Sequence, residues 1–335
     1  MILVTGATGL VGGNLIWQLL QDNERVSAIR RSSSNMDSIR TIFSFYTSAP
    51  DKYLSRIDWK EADVLDVYSI REAMLGISVV YHCAAVVSFN DNTQNLTDTN
   101  VTGTRNVVRA ALENQVHKLC FVSSISACGK GQNNEKINEN SVWADSSDRS
   151  SYSRSKYYSE QEVWKGINEG LNAVIVNPGV ILGASGTETG SSQLFLQVQK
   201  GIMFYTNGGS GSVDVRDVVK AMIQLVQRDI SGERFILVAE NCSNKDVLCR
   251  MADGFGRRRP FISVGKQTLW AVGWFLEIVG HVFHFHPLLN RNSAHTATTR
   301  EYYSSLKIEK ALNFKFIPIP TSINEICDFL LLSKQ

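Results

Sequence analysis

The chain lacks an excess of either charge. Its 34 Lys and Arg stand against 32 Asp and Glu, a net of +2, which argues against a nucleic-acid partner or a polybasic membrane surface. It lacks any C-x-x-C pair. Cys83, Cys120, Cys128, Cys242, Cys249 and Cys327 are scattered, and Cys83 and Cys120 lie in apolar strand-like runs, so reduced core thiols in a cytoplasmic protein are expected. It lacks a membrane-spanning run. The greasiest stretch, Leu269 to Phe285, is broken by Glu277, His281 and His284 and falls short of the about 20 apolar residues a span needs. A buried helix or pocket lid is expected there, with peripheral membrane contact as the alternative. No leader is expected, because the first strand starts at Ile2. His281, His284 and His286 have no carboxylate or Cys at ligand spacing, so no metal is expected. No internal repeat or low-complexity tract occurs, and 43% apolar with 20% charged residues fits a globular chain with a full core.

What is present begins at once, in MILVTGATGLVGG. Met1 to Val4 read as a short apolar strand. Gly6, Gly9 and Gly12 follow at three-residue spacing, and Leu15, Ile16, Leu19 and Leu20 then carry a helical pattern. Strand, glycine turn and helix N-terminus make a cradle for a pyrophosphate. Gly6 turns the chain, Gly9 lets the backbone approach the phosphates, and Gly12 lets helix and strand close. A glycine turn alone has a purely structural reading; the flanking strand and helix supply the context the motif requires.

Strand-like runs recur at Arg25–Ile29, Ile57–Glu61, Val79–Cys83, Lys118–Val122 and Asn172–Val176. Helical patterns alternate with them at Gly12–Gln21, Val67–Leu75, Thr102–Glu113 and Tyr152–Asn168. The alternation predicts an α/β fold with a doubly wound parallel sheet, whose ligands bind beyond the carboxyl ends of the strands. After Pro178 the rhythm breaks, and it returns over 213–240. The expected division is a dinucleotide-binding domain of 1–178 joined by 213–240, and a smaller substrate-binding lobe from 179–212 and 241–335.

Further features fall at predicted strand ends: His82 to Ala85, Ser123-Ser124, Asn177-Pro178-Gly179, and Tyr152 with Lys156 at the start of a helix. Four residues apart, Tyr152 and Lys156 share a helix face. A nearby ammonium is expected to lower the phenol pKa from about 10 and let Tyr152 exchange protons, with Ser124 holding a substrate oxygen. Each feature alone also reads as a turn, a helix cap or an exposed pair.

Taken together, the motifs make the chain resemble an extended short-chain dehydrogenase/reductase. The family's T-G-x-x-G-x-x-G is similar to Thr5–Gly12, its D-x-x-D to Asp63–Asp66, and its alanine-rich turn to His82–Ala85. Its N-x-x-G-T-x-N-V helix is similar to Asn100–Val107, its serine and Y-x-x-x-K to Ser124, Tyr152 and Lys156, and its V-D-V-x-D-V to Val213–Val218. The resemblance implies a Rossmann domain and a cofactor touched by Gly6, Thr8, Gly9, Leu10, Val11 and Gly12, by Asp63 and Val64 near adenine, and by Cys83, Ala84 and Ala85. It sets Pro178 and Val180 beside the nicotinamide. It makes Tyr152 the proton carrier and Ser124 the carbonyl holder, and has Lys156 tune the phenol and hold the ribose. Asn100 either supports the proton relay or packs the helix. A homodimer through Thr102–Glu113 and Tyr152–Asn168 is also implied.

The second strand ends in Arg30-Arg31 rather than an acid, so NADP is expected, with NAD as the alternative. The local wording resembles the dihydroflavonol reductase and 3β-hydroxysteroid dehydrogenase branches. Ile125 stands where the sugar-nucleotide dehydratases place an acid, and Leu182 where epimerases often place a Tyr. Val86, Val87, Phe89, Phe195 and a Trp270/Trp274 helix give an apolar substrate side, with Ser126 and Ser192 as polar contacts. The expected substrate is a small to medium, partly apolar carbonyl compound or alcohol. The alternatives are a sugar-nucleotide epimerase, with Arg257 to Arg259 for a diphosphate, and a non-catalytic dinucleotide sensor.

Overall fold

The computed structural model describes residues 1–22, 24–87, 96–131, 135–146, 149–185, 190–265, 267–269 and 297–332. The first half runs β1 (Ile2–Thr5), α1 (Leu10–Gln21), β2 (Val26–Arg30), α2 (Met36–Ser44), α3 (Pro50–Leu54), β3 (Asp58–Glu61), α4 (Val67–Ala73) and β4 (Val79–His82). A π-helical turn (Thr97–Thr102) then leads into α5 (Gly103–Glu113), β5 (Lys118–Val122), α6 (Ser151–Asn168) and β6 (Ala173–Pro178). The rest comprises β7 (Val180–Leu182), α7 (Gly190–Lys200), β8 (Phe204–Thr206), β9 (Gly209–Asp214), α8 (Val215–Gln227), β10 (Glu233–Leu237), β11 (Glu240–Ser243), α9 (Asn244–Gly254), β12 (Ile262–Val264), α10 (Leu306–Leu312) and α11 (Ile319–Leu332).

Seven parallel strands form the central sheet in the order β10-β6-β5-β4-β1-β2-β3. Successive strand residues face opposite sides, and here both sides are apolar. Val4, Val122 and Val176 join Leu15, Ile16, Phe43, Val218 and Met222 of α1, α2 and α8. Leu3, Phe121 and Ile175 join Ile70, Val107, Val108 and Val163 of α4, α5 and α6. Such two-sided burial is why these strands read as continuous apolar runs. The winding direction reverses between β1 and β4, so the loops after those two strands open the crevice in which such sheets bind ligands.

A third cluster joins Phe195 and Val198 of α7 to Val247 and Met251 of α9 and Ile323 and Ile326 of α11. Three elements depart from the sequence expectation, the short α3 among them because it falls in the same stretch as α2. The amphipathic α2, with Ile39, Ile42 and Phe43 buried, lies in a stretch for which no helix was expected. Helix α10, expected in the second lobe, instead puts Ile308 and Leu312 into the first sheet layer, with Phe314 just beyond it. Its apolar positions complete the cover over β10 at the sheet edge.

Candidate active site

The turn after β1 is sterically committed. Gly6 has φ +66°, a left-handed conformation that strains any other residue, and a Cβ there would lie 2.6 Å from the Ala84 backbone nitrogen. A Cβ on Gly12 would lie 2.3 Å from the Gly6 carbonyl oxygen, so α1 starts in contact with the turn. Gly9 is the N-cap of α1 and provides no side-chain cap, and the first turn holds no acid. The uncapped N–H groups and the positive helix end therefore suit a phosphate. Thr8, Leu10 and Val11 are half-buried around this turn. Arg30 and Arg31 are exposed at the end of β2, with the Arg30 guanidinium 5.8 Å from the Trp59 ring centroid. Glu61 is the register partner of Arg30 on β3. Asp63 accepts from the Leu65 N–H at 2.9 Å, and the Val64 carbonyl accepts from Asn106 at 2.9 Å. The glycine turn and the N-terminus of α1 form a cradle that fits a dinucleotide, and two cations stand at the end of the neighbouring β2.

The loop after β4, with Cys83, Ala84 and Ala85 half-buried, is held by His82. His82 is fully buried, 2.7 Å from Thr5 Oγ1 through Nδ1 and 3.1 Å from Thr104 Oγ1 through Nε2. Thr104 Oγ1 donates to the Asn100 carbonyl, so it accepts from Nε2–H, and Nδ1 accepts from Thr5. Thr5 Oγ1 in turn accepts from the Ala84 N–H at 3.2 Å. Burial, reinforced by the Lys156 charge, drives the imidazole pKa down to about 3 and keeps it neutral.

Beyond β5, Ser124 caps the short 3-10 turn Ile125–Ala127, and its Oγ accepts from the Ser126 N–H at 3.2 Å and the Ser126 hydroxyl at 2.9 Å. Tyr152, in the first turn of α6, is hydrogen-bonded to Ser124. One turn on, Lys156 is buried, donates to the Val122 carbonyl at 2.9 Å and lies 5.3 Å from the Phe121 ring centroid. Burial pulls the Lys156 ammonium down to about 8, opposed by Glu160 and Cys83. The phenol departs from the sequence expectation. Burial raises the Tyr152 pKa, and only the Ser124 bond opposes it. Desolvation outweighs the Ser124 bond and sets the direction for the phenol. The arrangement presents a neutral, proton-bearing phenol beside an ammonium.

Asn100 lies in the π-helical turn. Its side chain accepts from the Val86 N–H at 2.7 Å and donates to the Val86 carbonyl and to Ser155 Oγ, both at 3.0 Å. It therefore ties the loop after β4 to α6, and bonds neither Tyr152 nor Lys156 among the described residues. π-Helical turns commonly sit at functional sites.

Behind Ser124 lies a network that joins Asn177, singled out in the sequence, to Glu160 and Arg234, which were not. Asn177 Nδ2 donates to the Ser124 carbonyl at 3.0 Å and to the fully buried Glu160. Arg234 Nη1 meets the same carboxylate at 3.4 Å. Burial raises the Glu160 pKa, opposed by Arg234 and Asn177. The available signal was spacing, since Glu160 follows Lys156 by one helical turn.

The expected substrate side is only partly gathered. Val87 is exposed, Val180 is 43% exposed beyond β6, and Pro178 closes that strand. Ser126 stays beside Ser124, whereas Ser192 is buried against Ser185 Oγ at 2.7 Å. Phe195 is a correction. It is fully buried, edge-to-face with Phe255 at 6.4 Å, because the apolar face of α7 closes on α9 and α11. Arg257 donates to the Gln199 carbonyl and Arg259 pairs with Asp253, both on the surface. Phe89, Trp270, Trp274, His281, His284 and His286 lie outside the described residues. Among the described residues no helix is long and apolar enough to cross a membrane, and no cluster of His, Cys, Asp or Glu could hold a metal.

A doubly wound sheet with a glycine turn at its switch point, and a Ser, Tyr and Lys beyond a neighbouring strand, fits a dinucleotide-dependent α/β enzyme. The chain belongs to the NAD dependent epimerase/dehydratase family, whose model matches residues 2–237. It is 29% identical to a putative dihydroflavonol 4-reductase of Synechocystis sp. over 92% of this chain and 88% of that one. It is 30% identical to sterol demethylase protein B of Methylococcus capsulatus over 81% of this chain and 79% of that one. The crystal structure of gox2253 superposes with a TM-score of 0.82 at 25% identity, covering 99% of this chain and 98% of that one. The chain is thus an NAD(P)-dependent enzyme of the extended short-chain dehydrogenase/reductase family.

Proposed function

We propose that the chain is an NADP-dependent reductase acting on a ketone or aldehyde of small to medium, partly apolar character. The observation that carries this reading is the buried Tyr152 phenol, hydrogen-bonded to Ser124 one turn from Lys156. A phenol whose pKa is raised by burial keeps its proton, which suits the donor in a reduction.

NADPH, when bound, supplies the hydride. The glycine turn and the N-terminus of α1 would hold its pyrophosphate, and Arg30 and Arg31 would hold the 2′-phosphate, for which guanidinium geometry is suited. Ser124 and Tyr152 together hold the carbonyl oxygen, and the Tyr152 proton passes to that oxygen. The Lys156 ammonium stabilises the phenolate left behind. Asn177 and Glu160 fix the backbone at Ser124, so its hydroxyl is set before substrate arrives.

A panel of carbonyl compounds followed at the NADPH absorbance tests this. Rapid turnover of a ketone or aldehyde is expected. Tyr152→Phe keeps the ring, so NADPH affinity should stay near normal while turnover falls at least about a hundredfold. An unchanged rate in that variant would remove the proton-transfer role and favour a dinucleotide sensor. Interconversion of sugar nucleotides without net use of NADPH would favour the epimerase.

A further inference from the structure

Arg149 is 9% exposed, yet its Nε and Nη2 have no hydrogen-bond partner among the described residues. Its guanidinium lies over the Trp143 ring, 4.4 Å from the centroid, and Trp143 also stacks on Tyr157 at 4.3 Å. The Arg149 N–H donates to the Ser146 carbonyl at 3.0 Å, which brings the two residues together. Ser146 Oγ is also buried, with no partner among the described residues. Three buried polar atoms on these two residues thus lack a partner among the described residues.

An unpaired buried guanidinium is among the most costly groups in a folded protein, and orphaned buried donors are rare. Aromatic stacking satisfies the face of the guanidinium but none of its N–H groups. Nε and Nη2 form one edge of the planar fork, with two parallel N–H bonds aimed the same way. That edge matches a carboxylate or a phosphate. Arg149 directly precedes the N-cap of α6, where Ser150 Oγ accepts from the Ser153 N–H at 3.1 Å, so the positive end of an 18-residue helix adds to the guanidinium field. Tyr152 is three residues farther along the chain.

We propose that Arg149, with the Ser146 hydroxyl and the N-terminus of α6, holds an oxyanion, a carboxylate or phosphate, carried by the molecule whose carbonyl is reduced at Tyr152. The proposal rests on the reductase reading and narrows its substrate class to carbonyl compounds with an anionic arm. The apolar character then belongs to the stretch between the two ends.

The test compares wild type, Arg149→Met and Arg149→Lys. Met keeps the stem over Trp143 and removes the charge; Lys keeps the charge and loses the fork. Inorganic phosphate is titrated first, by calorimetry and by melting temperature, into protein saturated with NADP+ so that the glycine turn and Arg30–Arg31 are already filled. Phosphate should bind and stabilise wild type, bind Arg149→Lys more weakly, and leave Arg149→Met unmoved. Without phosphate, Arg149→Met should melt at or above the wild-type temperature, since it sheds an unpaired charge. A clearly lower melting temperature would make Arg149 a structural partner of Trp143 and overturn the site. Equal phosphate affinity in wild type and Arg149→Met would overturn it too.

The second arm separates substrate from free ion, using 4-carboxybenzaldehyde and its methyl ester. In Arg149→Met the KM of the carboxylate should rise about ten- to a hundredfold, the scale of a charged hydrogen-bonded contact, while that of the ester stays unchanged. Equal effects on both compounds, with phosphate binding intact, would overturn the assignment to substrate. Phosphate bound at Arg149 with no turnover of any carbonyl would sink the reductase reading and leave the oxyanion site standing.

Discussion

Lys156 and Tyr152 sit one helical turn apart, and burial acts on them in opposite directions of charge. It drives the lysine down to about 8 and pushes the phenol up, so both are biased toward neutrality. Glu160 and Cys83 hold Lys156 charged against that bias. The Lys156 ammonium is present below about pH 8 and lost above it. The kcat/KM for reduction should therefore fall on the alkaline side with an apparent pKa near 8. Lys156→Arg, whose charge does not titrate there, should remove that limb from a profile taken between about pH 6 and 10. Histidine 82 works through stability instead. Its folded pKa of about 3 lies below the unfolded value of 6.5, so its contribution is whole above pH 6.5 and is lost as pH falls toward 3. The loss should run at up to about 1.4 kcal/mol per pH unit. Chemical denaturation at pH 7, 6, 5 and 4 should show a shallower acid decline in His82→Gln than in wild type, from a lower starting stability.

At the scale of elements, each strand end delivers one component. The turn after β1 gives the cradle, the end of β2 gives Arg30 and Arg31, the loop after β4 gives Ala84, the turn after β5 gives Ser124, and α6 gives Tyr152 and Lys156. On the NADP reading proposed above, cofactor choice resides at the end of β2. Replacing Arg30 and Arg31 together with Ser should weaken NADPH binding at least about tenfold, the loss of a charge-assisted contact, and leave NADH nearly unchanged. Fluorescence titration with both nucleotides checks this, and tighter NADH than NADPH binding by wild type would refute the assignment. The glycines and the Tyr152–Lys156 spacing were legible because local chain geometry dictates them. The Glu160–Asn177–Arg234 network was not, because its members come from α6, β6 and β10 and meet only when the sheet is assembled.

For the whole molecule, the consequential feature is the return of the chain. Strand β10 pairs with β6 at the edge of the sheet, and α8 covers the same face as α1. A fragment ending at 178 would lose the buried Val218, Val219, Met222, Leu225, Phe235 and Leu237. At about 2 kcal/mol each, that loss rivals the entire about 5–15 kcal/mol by which such domains are stable. The fragment 1–178 should therefore fail to show a cooperative melt by circular dichroism, whereas a chain joining 1–178 to 213–240 by a short linker should recover part of one. A sharp melt in the shorter fragment would refute the dependence.

The sequence by itself determined the alternation of strand and helix and the glycine turn after the first strand, because periodicity and glycine geometry are properties of short segments. Only the tertiary structure decided which side chains became core and which became site. Phe195 and Phe89 read alike as apolar, and burial of Phe195 between α7, α9 and α11 removed it from the substrate side. Arg149 and Arg154 lie five residues apart. Arg154 pairs with Asp145 at 2.9 Å, while Arg149 turns inward over Trp143 with two donors unspent. Charge is written in the sequence, but the environment that makes it costly or useful arises only from long-range packing.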